Sequence, residues 1–158
     1  MKRAFAIGSV LVLALAAAGV VRAQGDPFAG TWKLNLAKST YNAGTPPKSE
    51  VRTYEVTGDG ERLTVNGVGA DGKRVAWGYT VRFDGKYYPI IGTGPGGANA
   101  IAAKRINARR VEASLQKDGK AFQTANRVVS QDGKTMTATA RAAGANGPPL
   151  FVIVYDKQ

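Results

Sequence analysis

The chain has 158 residues, with 22 Lys and Arg against 11 Asp and Glu for a formal net charge of +11, and it contains neither Cys nor His. Those two absences exclude disulfides, thiolate and Ser–His nucleophiles, and the usual nitrogen and sulfur ligands of zinc, copper and haem. No metal and no cofactor is expected, and any catalysis would rest on Asp, Glu, Tyr, Lys or Arg.

Residues 1–23 read as a secretory signal peptide. Lys2 and Arg3 form a positive start, Ala4 to Val21 is uncharged and mostly apolar, and Val21-Arg22-Ala23 offers a processing site before Gln24. The rival is a retained membrane anchor, but the run is rich in Ala and Gly and is at the lower limit for crossing a bilayer of about 30 Å. A lipid anchor has no Cys to carry it, and Lys2-Arg3 is not a twin-arginine signal. The expectation is an exported protein, periplasmic or secreted, with residues 24–158 as one domain and no transmembrane segment after cleavage.

Removing Lys2, Arg3 and Arg22 from the 22 basic residues leaves 19 against 11 acidic, a net +8. These charges are scattered along the chain, as on a solvated outer face. The sharper alternative is attraction to an anionic envelope surface of lipid headgroups or glycan. Nucleic acid is not expected, because the cluster Lys104, Arg105, Arg109 and Arg110 lacks interleaved aromatic residues for stacking on bases.

Asp-Gly recurs at residues 59, 71, 84, 118 and 132, and Asn146-Gly147 adds a sixth such pair. Each falls between stretches rich in Val, Thr, Tyr and Ile, which predicts type I′ hairpin turns. Ten strands follow: Phe28 to Asn35, Ser49 to Thr57, Arg62 to Val68, Lys73 to Phe83, Lys86 to Gly92, Ala98 to Asn107, Arg110 to Lys117, Lys120 to Ser130, Lys134 to Ala142 and Leu150 to Lys157. Sequential hairpins, each polar on one side, favour an all-β, antiparallel, up-and-down barrel of about 8–10 strands, because closure removes exposed edges. Leu36 to Lys48 breaks the rhythm and carries Pro46-Pro47, so it is expected to cross one end as a lid, with a helical turn near Leu36 to Tyr41. Gly92-Thr93-Gly94-Pro95-Gly96-Gly97 formally matches a phosphate-binding pattern, but Pro95 interrupts it and no helix follows, so it reads as a rim loop.

Phe28-Ala29-Gly30-Thr31-Trp32-Lys33-Leu34-Asn35 resembles the first-strand Gly-x-Trp motif of lipocalin-like (calycin-type) proteins, in which the Trp packs across the closed barrel end. Asp26 to Ser49, Lys104-Arg105-Ile106-Asn107 with Val111-Glu112, and Val128 to Thr135 are similar to small exported bacterial lipocalin-like proteins, most without an assigned function. The resemblance implies the fold and a Trp32 plug. It does not imply a ligand, since the Thr-Asp-Tyr motif of larger lipocalins and the Arg-x-Tyr pair of fatty-acid-binding relatives are missing before Tyr155.

Val75, Trp77, Tyr79, Val81 and Phe83 alternate onto one face, either as packed core or as the aromatic wall of a cavity. Ala98, Ala100 and Ala102, and Met136, Ala138 and Ala140, are too small to fill a wide barrel from their strands and tilt the choice toward interior space. Arg127 shares a face with Ala121, Gln123 and Ala125. Outward solvation is its expected arrangement, since an inward guanidinium needs a partner, from Glu55, Tyr155 or a ligand carboxylate. The candidate ligand-binding residues are therefore Trp77, Tyr79, Val81, Arg127, Tyr155 and Glu55. The function expected is non-catalytic binding of a small, largely apolar or amphipathic molecule inside the barrel. The alternatives are a filled barrel adhering to anionic lipid or glycan, and an isomerase or cyclase using Glu55 or Tyr79.

Overall fold

The computed structural model describes residues 25–158. The expected signal peptide, residues 1–23, lies outside the described residues. Ten strands form: β1 Gly30–Tyr41, β2 Ser49–Thr57, β3 Gly60–Val68, β4 Arg74–Arg82, β5 Asp84–Gly92, β6 Ala100–Asn107, β7 Arg110–Lys117, β8 Lys120–Val129, β9 Thr135–Ala142 and β10 Phe151–Lys157. Each pairs antiparallel with its sequence neighbours, and β1 pairs with β10 to close the barrel. The all-β up-and-down barrel read from the sequence is the fold of the protein.

The turns vary more than a single hairpin type. At Asp118-Gly119 both residues have positive φ, 51° and 77°, as a type I′ turn requires. Asp71, Asp84 and Asp132 instead accept a hydrogen bond from the backbone N–H two residues on, and only the following glycine turns left-handed. Gly60 has no positive φ. It lies inside β3, where a Cβ would come within 2.1 Å of the Val81 carbonyl oxygen, so its role is close approach of two strands.

The expected helical turn at Leu36 to Tyr41 is absent, because β1 runs through it with a wide bulge. The register against β10 jumps from Asn35 opposite Val154 to Thr40 opposite Val152. Ser39 makes the bulge affordable by bridging the broken ladder: its hydroxyl donates to the Asn35 carbonyl at 2.7 Å and accepts from the Val154 N–H at 2.9 Å.

Alternation sends Trp77, Tyr79 and Val81 of β4, and Val111, Ala113 and Leu115 of β7, into the core. On β6 the expected inner face is displaced. Ile101 and Ala103 are the inward residues, opposite Leu115 and Ala113, whereas Ala102 faces Ser114 on the outer side. The 3₁₀ turn at Pro95–Gly97 precedes this strand, and Ala98 remains in the core without sharing the strand's alternation.

One barrel end is plugged by the segment leading into β1. Trp32 is fully buried and its indole N–H donates to the Phe28 carbonyl at 2.8 Å. The Phe28 ring is also fully buried, with the guanidinium groups of Arg105 and Arg127 5.3 and 5.4 Å from its centroid. Arg105 in turn bridges to Asp26 at 2.6 Å, so the basic cluster noted in the sequence is divided: Arg105 seals the barrel end while Arg110 pairs outside with Glu112.

Candidate functional site: an interior cavity with two Tyr–Glu–Arg triads

At the opposite end the barrel is not filled. A cavity of about 260 Å³ opens into its interior, just below the range of about 300–1,000 Å³ for small-molecule sites. Its apolar wall is built by Leu63, Trp77, Ile101, Leu115, Phe151 and Ile153, and Ala113, Ala125, Ala138 and Ala140 leave the room. Small inward residues on β7, β8 and β9 thus create the space facing the large ones on β3 and β4. The mouth is framed by Tyr41, Ala43, Gly44, Thr45 and Pro47 from the β1–β2 connection and by Pro95 from the glycine-rich loop.

Glu50, Arg52, Tyr79 and Arg127 line the same cavity and, with Glu61 and Tyr155 behind them, form two matching sets. In the deeper set, Glu61 Oε1 accepts from the Tyr79 hydroxyl at 2.8 Å and from Arg127 Nη2 at 2.5 Å. In the set nearer the mouth, Glu50 Oε1 accepts from the Tyr155 hydroxyl and from Arg52 Nε, both at 2.6 Å. Each guanidinium also lies over aromatic rings: Arg127 is 4.8 Å from the Tyr54 centroid, and Arg52 is 4.7 Å from Tyr155 and 5.8 Å from Trp77.

Burial, then Glu61, raises the Tyr79 phenol well above its ordinary value despite the opposing charge of Arg127. Tyr155 is raised in the same way by burial and Glu50, against Arg52. Burial disfavours charge on Arg127 and Arg52, but the facing carboxylates and phenols hold both guanidinium pKa values well above the ordinary one. Both arginines are therefore permanently charged.

Trp77, Tyr79 and Arg127 line the cavity, Tyr155 supports it through Glu50, and Val81 packs in the core without reaching it. Two sequence expectations are corrected. Arg127 is not solvated outside but is 4 % exposed and paired inside, and its partner is Glu61. Glu55 is exposed on the outer side of β2, opposite Arg62, and takes no part in the site. Strand parity carried the missing signal. Glu61 shares a face with Leu63 and Val65, and Glu50 and Arg52 share one with Tyr54, whereas Glu55 alternates with the polar side.

A larger depression, about 540 Å³, lies on the outer surface of β5 to β9. It is an open groove in which several polar groups bond one another: Tyr87 bonds Ser114, and Arg110 bonds both Asn126 and Glu112. The smaller interior cavity is the candidate site because its walls are apolar and its polar groups converge. Among the described residues no cluster of three or more acidic side chains is placed to hold a metal ion, and no helix is long and apolar enough to cross a membrane.

The architecture is a closed, antiparallel, up-and-down barrel of ten strands, and solved structures share this fold. The chain is similar to zebrafish ileal bile acid-binding protein, crystallised in complex with cholic acid, with a TM-score of 0.52 and 16 % identity over 84 % of this chain and 99 % of that one. It is also similar to lobster apocrustacyanin A1, with a TM-score of 0.46 and 13 % identity over 85 % of this chain and 62 % of that one. No protein-family profile and no curated protein matches the chain.

Proposed function

We propose that this chain is an exported, non-catalytic binding protein that holds a small, largely apolar molecule inside its barrel. The observation that carries the reading is the interior cavity: an apolar wall around Trp77, bordered at one end by two loops. The zebrafish protein of similar fold was crystallised in complex with cholic acid, which supports ligand binding by this architecture. Export rests on the composition of residues 1–23. Against an isomerase or cyclase, Glu55 faces solvent, and Tyr79 already donates its proton to Glu61 with a pKa displaced away from neutrality.

The test is a fluorescence titration with a hydrophobic dye, comparing the native chain with Trp77→Phe so that the Trp32 signal is subtracted. Trp77 emission is expected to change on binding, and Trp77→Ala to weaken affinity by about tenfold through lost apolar contact. Salt is expected to matter little, because apolar transfer is not screened. A silent Trp77, together with binding to anionic vesicles that collapses above about 0.5 M salt, would replace this reading with surface adhesion. Intact-mass analysis of the protein recovered from its producing cells tests export, with a chain beginning at Gln24 expected.

A further inference from the structure

We infer that the ligand carries an uncharged polar head that accepts a hydrogen bond, and that the cavity discriminates against carboxylates. This deepens the proposed function and rests on the interior being a binding site. The starting observation is that neither cavity arginine has unspent charge. Arg127 is neutralised by Glu61 and Arg52 by Glu50, and each carboxylate is further held by a tyrosine hydroxyl. These two arginines and Glu50 are the charged side chains on the cavity wall among the described residues, and Glu61 stands directly behind Arg127. A carboxylate brought to Arg127 would lose its hydration and share one guanidinium with a second carboxylate, where like charges oppose each other.

Hydrogen-bonding capacity, in contrast, is left over. Besides Glu61 Oε2 and the Tyr41 hydroxyl at the mouth, Arg127 Nη1 and the Tyr54 hydroxyl are buried without a partner, on residues 4 % and 2 % exposed, and the guanidinium lies over the Tyr54 ring. Both residues line the cavity. Each can donate, and an unmet buried donor is costly. A carbonyl, ester, amide or hydroxyl oxygen satisfies them without importing charge, while the apolar body of the ligand lies on Leu63, Trp77, Ile101 and Leu115. The ligand class is thus a small amphiphile with a neutral oxygen head.

Octanamide, 1-octanol and octanoate, matched in chain length, test this by competition against a bound dye at neutral pH. The two neutral probes are expected to bind at least tenfold more tightly than octanoate. Glu61→Gln uncovers the Arg127 charge and is expected to shift the ratio toward octanoate by about tenfold or more, while Tyr54→Phe weakens the neutral probes several-fold without favouring octanoate. Octanoate binding best to the native chain overturns the inference, as does an unchanged ratio in folded Glu61→Gln. Should Glu61→Gln fail to fold, the native ratio still decides, and Glu50→Gln, in the more hydrated pair, repeats the reversal. A chain whose Trp77 answers to no probe and no dye overturns instead the binding reading on which this inference stands.

Discussion

The two Tyr–Glu–Arg triads use the same three residue types, the same carboxylate oxygen as hub and the same stacking of guanidinium on aromatic rings, yet they sit in different solvents. The Glu61 and Arg127 side chains are 0 % and 4 % exposed, whereas Glu50 and Arg52 are each 13 % exposed beside the mouth. In the deep triad neither charge has an alternative to its partner, so the pair acts as a structural unit whose separation is costly. In the mouth triad water can replace a lost partner, and Arg52, paired with Glu50, lies over Trp77 on the cavity wall. Depth, more than chemistry, sets the two triads apart.

The largest effect should come from Arg127→Met, which strands the Glu61 carboxylate and is expected to lower unfolding free energy by about 3–5 kcal/mol in urea denaturation. A loss below about 1 kcal/mol, the level of ordinary surface changes, would erase the distinction between the triads. Combining Arg127→Met with Glu61→Leu removes both charges and is expected to restore much of the loss. The corresponding change at the mouth, Arg52→Met, should cost only about 1–2 kcal/mol, since Glu50 keeps Tyr155 and gains water. Its larger consequence is expected in dye affinity, so an Arg52→Met protein that is as destabilised as Arg127→Met but binds normally would invert the roles assigned here.

At neutral pH the smallest difference is between the two phenols, and it emerges on alkaline titration. Tyr79 and Tyr155 have folded pKa values raised well above 10.0 by burial and their glutamates, while the unfolded phenols ionise near 10. The unfolded state therefore releases protons first, and the stability held below about pH 10 is lost as pH rises through the folded values. Ultraviolet titration of the six tyrosines should show these two ionising last, together with unfolding. If Tyr155 titrates early and reversibly, the mouth triad is more open than its geometry implies.

The barrel was legible because hairpin punctuation and two-residue alternation are local signals, and the ten strands need only those. The bulge at Asn35 to Thr40 was not. It depends on Ser39 reaching a backbone amide on β10, a contact across the whole chain. The site was legible in its aromatic half, Trp77 and Tyr79, whose strand alternates cleanly. Its acidic half was hidden, because Glu61 adjoins the Asp59-Gly60 turn and Glu50 follows Pro46-Pro47, so both read as loop-edge charges. Arg127 looked outward for the same reason: its cost inside is offset only by Glu61, 66 residues earlier in the chain. Pairings of that kind are fixed by barrel closure and leave little trace in local pattern.

The ladder between β1 and β10 joins the beginning of the described chain to its end, with Trp32 opposite Lys157. Every other ladder links neighbours in sequence and can form as soon as its hairpin exists. Without that ladder the sheet is an open ribbon, with one bare edge on β1 and another on β10. The plug built by Phe28 and Trp32 is made near the start of the chain but has walls to seal only when the last residues arrive. Closure at once hides two aggregation-prone edges, seals the floor and encloses the interior, so the cavity exists only where β1 and β10 are paired.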